Sequence, residues 1–486
     1  MTNPFSSLQP QPLWTYFYEL TQIPRPSKYE EKVRRYVIDF GKNLGLETIE
    51  DAVGNVIIRK PATPGMENRK GIILQAHLDM VPQKNEDTDH DFKQDPLKPW
   101  VDGDWVKATG TTLGADNGIG IAAAMAVLAS ADLQHGPVEA LFTIDEETGM
   151  TGAFGIQAGL IQGDILLNMD SEDEGELYIG CAGGTNANVQ FTYQDVAVPS
   201  GMAAFKLTVK GLKGGHSGLD IPLGRGNSNK ILNRLMWVSQ NRFGLRLSSI
   251  DGGSLRNAIP RESFAVVTIP EAQKEPFLDY AKEFKDMVRN ELSAVEPDLT
   301  ILVDPVAKPA FLMDEKTQHN LLNAIYACPN GVIRMSNEMQ GLVETSTNLA
   351  IVKSENGEVK TQCLLRSSVD SAKTDLEQMI QSVFELAGAE IQFDGQYPGW
   401  KPNPDSPILK LMQDVYQKRF GKVPEIRAIH AGLECGILGG VYTHWDMISF
   451  GPTIRFPHSP DEKVNIGTVE KFWIFLVETL KDIPGK

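Results

Sequence analysis

Five residues of this chain have the types and placement to hold metal ions: His77, Asp116, Glu147, Asp170 and His458. His77 closes the run GIILQAHLD (Gly71–Asp79), in which Ile72, Ile73, Leu74 and Ala76 read as a short buried strand. Asp79 lies two positions on and therefore on the same side of an extended chain. The apolar run Val138–Ile144 leads into Asp145-Glu146-Glu147, and Asp164–Met169 leads into Asp170. Asp116 sits in the glycine-rich GTTLGADNGIG, and His458 in the proline-bounded FPHSPDE. In open α/β sheets, ligands collect beyond the carboxyl ends of the strands. Imidazoles and carboxylates without thiolates suit zinc, manganese or cobalt better than calcium. The pattern reads as a two-metal hydrolase.

Taken singly, a histidine at a strand end is ordinarily structural, and an acid there is ordinarily a helix cap or a solvated turn. The recurrence of the same chemistry at several strand ends is what favours a site. Adjacent Glu146 and Glu147 would repel each other unless a cation neutralised one, so Glu147 is assigned to metal and Glu146 to general base. Asp79 would hydrogen-bond His77 and fix its ring.

Elements able to position these groups follow from the periodicity. Pro12–Leu20 reads as a first helix. Ser27 and Glu30 form a capping box for a second, striped by Val33, Tyr36, Val37, Phe40 and Leu44. Strands at Asn55–Ile58, 71–79, 138–144 and 164–169 alternate with helices, including the small-residue Ile119–Ala131. That alternation predicts an α/β fold with a mainly parallel sheet. Segment Glu86–Trp105 reads as loop. After about Gly184 the strands alternate in polarity like half-exposed antiparallel ones, and long amphipathic helices join them. Residues 186–390 are thus expected to form an inserted α+β domain, with two related halves as an option, within a discontinuous domain of residues 1–185 and 391–486. A helix capped by Ser406-Pro407 and ended by Gly421, a strand at Met447–Phe450 and a helix from Gly467 complete the first domain.

The 486 residues allow two substantial cores. A net charge of −17 argues against nucleic acid or anionic membrane as partner. Cys181, Cys328, Cys363 and Cys435 show no CxxC spacing and read as reduced, buried thiols. The N-terminus lacks a secretory pattern and the most apolar stretch, Ile119–Leu128, is too short to span a bilayer. The expectation is a cytoplasmic protein. His430 and His444 read as structural, His430 with the option of lining a pocket; His90, His135 and His319 are expected at the surface.

HLDMV at His77, GADNGIG at Asp116, DEETGM at Glu146, NMDSEDEGE at Asp170, GGHSG at His216 and FPHSPDE at His458 resemble, together and in order, the co-catalytic zinc dipeptidases and deacylases. SEDEGELYIGCAGG and GLVETSTNLA (Gly341–Ala350) resemble the aminoacyl-histidine (β-alanyl-histidine) dipeptidase branch in particular. No metal or catalytic position departs from the family pattern. The resemblance implies a zinc-peptidase catalytic domain with an inserted lid of the dimerisation type. It implies two divalent ions, zinc first, with cobalt or manganese able to substitute. Asp116 would bridge them, with His77 and Asp170 on one ion and Glu147 and His458 on the other, and a cis peptide after Asp116.

The resemblance also makes His216 an oxyanion donor and makes Asn257 and Arg366 contacts for the substrate carbonyl and carboxylate. Gly432 in HAGLE could offer a backbone amide. The resemblance leaves a homodimer open, with His216 acting within its own chain or across it. The expected activity is hydrolysis of unblocked dipeptides with a preference for Xaa-His, Glu146 moving the proton from water to the leaving amine. The rivals are a tripeptide aminopeptidase or N-acyl amino acid deacylase of the same superfamily, and a metal-binding regulator that has lost catalysis. The presence of both Asp79 and Glu146 weighs against the last.

Overall fold

In a computed structural model that describes residues 3–486, the chain separates into two compact units. The first takes in the chain up to Gly180 together with Pro402–Ala428 and Leu433–Lys486; the second is Cys181–Lys401 with Ile429–Gly432. The second unit thus starts a few residues before the expected 186 and runs beyond 390, because Glu390–Tyr397 pairs as a strand with Gly183–Thr192.

The first unit is built on a mixed eight-stranded sheet. Its centre is parallel: Val138–Thr143, Ile72–His77, Ile165–Asn168 and Asp446–Ser449 lie side by side in that order. Antiparallel strands flank them, Val56–Lys60 and Glu47–Glu50 on one side. Every residue of Ile72–His77 and Val138–Thr143 is buried. Covering both faces of these strands removes each aliphatic side chain from water, worth about 1.5–3 kcal/mol apiece. The parallel strands run the same way, so His77, Thr143 and Asn168 reach one edge together.

Helix Ala115–Ala129 is buried from Asn117 to Leu128. Its glycines and alanines permit close approach. A Cβ on Gly120 would lie 2.0 Å from Asn117 Oδ1 and 2.8 Å from the Met169 carbonyl, so only glycine allows this helix to meet the segment that runs from strand Ile165–Asn168 into Asp170. Ser406 caps Pro407–Phe420 by accepting from the Leu409 amide at 3.1 Å, and Gly421 ends that helix at φ 74°.

The capping box at Ser27 and Glu30 does not form. Ser27 Oγ donates to Asp79 Oδ2 at 2.8 Å, and Glu30 Oε1 accepts from the amides of Lys28 and Asp145. Tertiary partners outcompete the local cap. The supposed loop Glu86–Trp105 includes Pro99–Asp102, which forms a hairpin with Trp105–Ala108. His90 and His135 are buried, not superficial: His90 packs against the Phe92 ring and His135 Nδ1 meets the Gly136 carbonyl at 2.7 Å. His319 is exposed.

The second unit is an antiparallel sheet. A group of four strands and a group of five, which includes Gly331–Met335 beside Val343–Glu355, meet where Arg246–Gly252 pairs with Val343–Glu355. Helices Ser228–Phe243, Lys274–Glu291, Glu315–Ala327 and Asp370–Leu386 share one apolar core with it. All four cysteines are buried thiols. Among the described residues, no helix is long and apolar enough to cross a membrane.

Candidate metal centre and substrate groups

At the carboxyl edge of the parallel strands, two triads of ligating side chains share one residue. His77, Asp116 and Asp170 form one, Asp116, Glu147 and His458 the other, with ligand atoms within 4.8 Å of one another. His77 Nε2 lies 3.0 Å from Asp116 Oδ1 and 3.2 Å from Asp170 Oδ1. His458 Nε2 lies 3.3 Å from Asp116 Oδ2 and 3.0 Å from Glu147 Oε2. The Asp116–Asn117 peptide is cis, and both residues depart from helical dihedrals at the start of their helix.

Behind the ligands stands Asp79, wholly buried. Its Oδ1 is 3.4 Å from His77 Nδ1, whose other neighbour is the Asp79 carbonyl at 3.2 Å. A proton on Nδ1 satisfies both and leaves the Nε2 lone pair facing Asp116 and Asp170. Asp79 also accepts from the amides of Glu146 and Glu147 at 3.0 and 3.2 Å. One carboxylate therefore orients the His77 imidazole and the turn that bears Glu146 and Glu147. Burial opposes its ionisation, but His77 and Ser27 hold its pKa down at about 2.

The charge balance is lopsided. Asp116, Glu146, Glu147, Asp170, Glu172, Glu434 and Glu462 gather around two imidazoles and the buried Arg25. Burial, with like charges nearby, pushes Asp170 up to about 6 and Glu172 up to about 8, and raises Glu146 well above its usual range. Hydrogen bonds to Asp116 and Glu147 lift His458 to about 11. Protons thus concentrate where cations would be most stabilising. Glu147 Oε1 is buried without a hydrogen-bond partner, an acceptor left over for a metal. Donor set, shared carboxylate and orphaned oxygen all fit a metal pair.

Several neighbours escaped the sequence reading. Glu434 Oε2 accepts from Gln75 Nε2 at 2.5 Å and Thr143 Oγ1 at 2.8 Å beneath the ligand-bearing strand ends. Glu172 is half-buried beside Asp116 and Asp170. Its position two residues after Asp170 was the one signal that could have flagged it.

The other expected contacts belong to the second unit. His216 lies on a two-residue strand paired with Ala258–Ile259, and the Asn257 carbonyl accepts from the Ser217 amide at 2.8 Å. His216 Nδ1 accepts from the Gly218 and Leu219 amides at 3.2 and 3.1 Å, so the ring proton of the neutral form is on Nε2. Burial and the Arg366 charge keep its pKa low. Gly218 is required for closeness, since a Cβ there would meet the His430 carbonyl at 2.1 Å.

Arg366 is buried. One of its nitrogens donates to Tyr397 Oη at 3.1 Å, and Nε has no partner. His430 is buried with Nε2 2.7 Å from Ser346 Oγ; His444 is exposed. The Asn257 side chain is exposed, and Gly432 is half-buried.

The model of peptidase family M20/M25/M40 matches residues 73–482. The cytosol non-specific dipeptidase of Escherichia coli is 49% identical over 481 residues, 99% of each chain. The crystal structure of an aminoacylhistidine dipeptidase from Vibrio alginolyticus superposes with a TM-score of 0.95 at 52% identity, covering 99% of this chain and 98% of that one. The aminopeptidase PepT of Bacillus cereus shares the fold alone, with a TM-score of 0.57 at 16% identity over 98% of this chain and 99% of the other. The chain belongs to peptidase family M20/M25/M40 and is a peptide hydrolase.

Proposed function

We propose that this family member is a cytoplasmic two-metal dipeptidase that cleaves unblocked dipeptides, Xaa-His and β-Ala-His among them. The observation that carries the reading is Asp116, whose two oxygens face different imidazoles. The similarity to a cytosol dipeptidase and to an aminoacylhistidine dipeptidase supports the substrate class and the compartment. Bound zinc ions, or cobalt or manganese in their stead, would acidify a water and draw electron density from the scissile carbonyl.

The chain's own residues do the rest. Glu146 takes the proton of the attacking water and returns it to the leaving amine. Asp79 keeps His77 and the Glu146–Glu147 turn in place. In the second unit, read as the substrate-binding lid, His216 offers Nε2–H to the developing oxyanion. Arg366 supplies an unpaired cation for the terminal carboxylate, and the Asn257 amide and the Gly432 backbone N–H add polar contacts.

The test is an assay of metal-stripped protein reloaded with zinc, cobalt or manganese on β-Ala-His, Gly-His, Ala-Ala-Ala and an N-acetyl amino acid. Metal-dependent cleavage of the histidine dipeptides is expected. Cleavage of only the tripeptide or the acyl compound would move the assignment to a rival activity. No turnover despite bound metal would overturn catalysis altogether.

A further inference from the structure

Asp116 sits at the irregular start of its helix. Gly114 is left-handed at φ 67°, and Asp116 and Asn117 lie outside helical dihedrals. Unpaired carboxylates around such a loop would drive it apart in the absence of metal. Two residues outside the ligand set oppose this.

Glu462 is 2% exposed and receives four successive backbone N–H groups. Leu113 and Gly114 donate to Oε2 at 2.7 and 2.9 Å, and Ala115 and Asp116 to Oε1 at 2.7 and 3.3 Å. Converging amides of this kind make a concavity that fits an anion. Glu462 lies four residues after His458, so its grip ties the loop of the shared ligand to the loop of the second imidazole. Arg25 acts from the other side. Its Nη1 donates to the carbonyls of Leu78 at 3.0 Å and Asp79 at 2.8 Å, and its Nη2 to that of Gly114. The turn after His77 is thereby fastened to the same loop.

We infer that Arg25 and Glu462 are positioning residues that hold the Asp116 loop in its metal-binding shape before metal arrives. The inference rests on the two-metal reading and adds that the site is formed by the protein rather than by the ions. A site set in advance avoids the ordering cost on binding.

Hydrogen exchange on wild-type protein tests this without any variant. The amides of residues 113–116 should be protected in the metal-free form to within about tenfold of the zinc-loaded form. Exchange more than about 100-fold faster without metal would overturn the inference. Zinc competition titration and the cobalt absorption spectrum supply a second readout. Glu462→Gln should weaken metal binding by about 10–100-fold and alter the spectrum. Arg25→Lys should do so less.

Glu296→Gln is the control: Glu296 is a buried carboxylate that accepts from the Lys213 and Gly226 amides in the second unit. A purely structural role for Glu462 would lower Tm as this control does while leaving zinc affinity and the cobalt spectrum at wild-type values, and that result would also overturn the inference. Failure of wild-type protein to take up metal would instead sink the two-metal reading itself.

Discussion

Asp116 presents Oδ1 to His77 Nε2 at 3.0 Å and Oδ2 to His458 Nε2 at 3.3 Å, so one carboxylate joins two imidazoles from segments 381 positions apart (458 − 77). A ligand shared in this way makes the occupancies of the two sites interdependent. Asp116→Ala is expected to lower bound zinc from two equivalents to one or fewer, measured by atomic absorption after dialysis. Asp170→Ala touches one triad only and should spare the ion held by Glu147 and His458. Equal loss of both ions in the two variants would argue against a bridge.

His77, Glu146 and Glu147 also bring ligating atoms within 4.8 Å of one another, so metal content has to separate the roles of the two glutamates. In the proposed arrangement Glu146 is the base and Glu147 beside it the metal ligand. Glu146→Gln should therefore retain both ions while kcat falls by about 10²–10⁴-fold, the usual contribution of a general base. Metal content and single-substrate kinetics on the same preparation separate the roles. Loss of metal with activity would show that Glu146 is a ligand.

What the sequence disclosed about the site follows from local physics. His77, Glu147 and Asp170 each stand at or just past the end of an apolar run that reads as a buried strand, and parallel strands bring their carboxyl ends to one edge. Arg25, Glu434 and Glu462 left no such mark. Their partners lie far away along the chain, as Gln75 does from Glu434, and no periodicity encodes a contact of that range. Ser27 and Glu30 matched a capping pattern whose local hydrogen bonds lost to Asp79 and Asp145. In the second unit alternating polarity marked some of the strands but not Arg246–Gly252, Thr300–Pro305 or Glu390–Tyr397, and it gave no strand order, because register depends on partners that alternation does not name.

Arg366 is a buried guanidinium whose Nε lacks a partner. A substrate carboxylate would complete it through charge-assisted hydrogen bonds worth about 1.5–3 kcal/mol. Arg366→Met should therefore raise KM for free dipeptides by about 10–100-fold, with a smaller effect on kcat. Dipeptide amides, which lack the carboxylate, should respond little. If amides and free dipeptides suffer equally, Arg366 supports the unit's packing and does not bind substrate.

His430 gives a prediction about pH. Burial, with Arg366 and His216 as like charges, pushes its pKa down to about 3 from an ordinary 6.5. Between these values the unfolded chain binds a proton that the folded protein refuses, so stability rises with pH across that window. The contribution is complete above about pH 6.5 and is lost progressively as pH falls toward 3, with a slope approaching about 1.4 kcal/mol per unit. His430→Gln keeps a hydrogen-bonding side chain for Ser346 and removes the titration. Its Tm, followed by circular dichroism from pH 7.5 to 4.5, should therefore decline less steeply than that of the wild type, whatever its absolute value at neutral pH. Parallel curves would mean that the His430 imidazole accepts its proton in the folded state, through water access or a shift of Arg366.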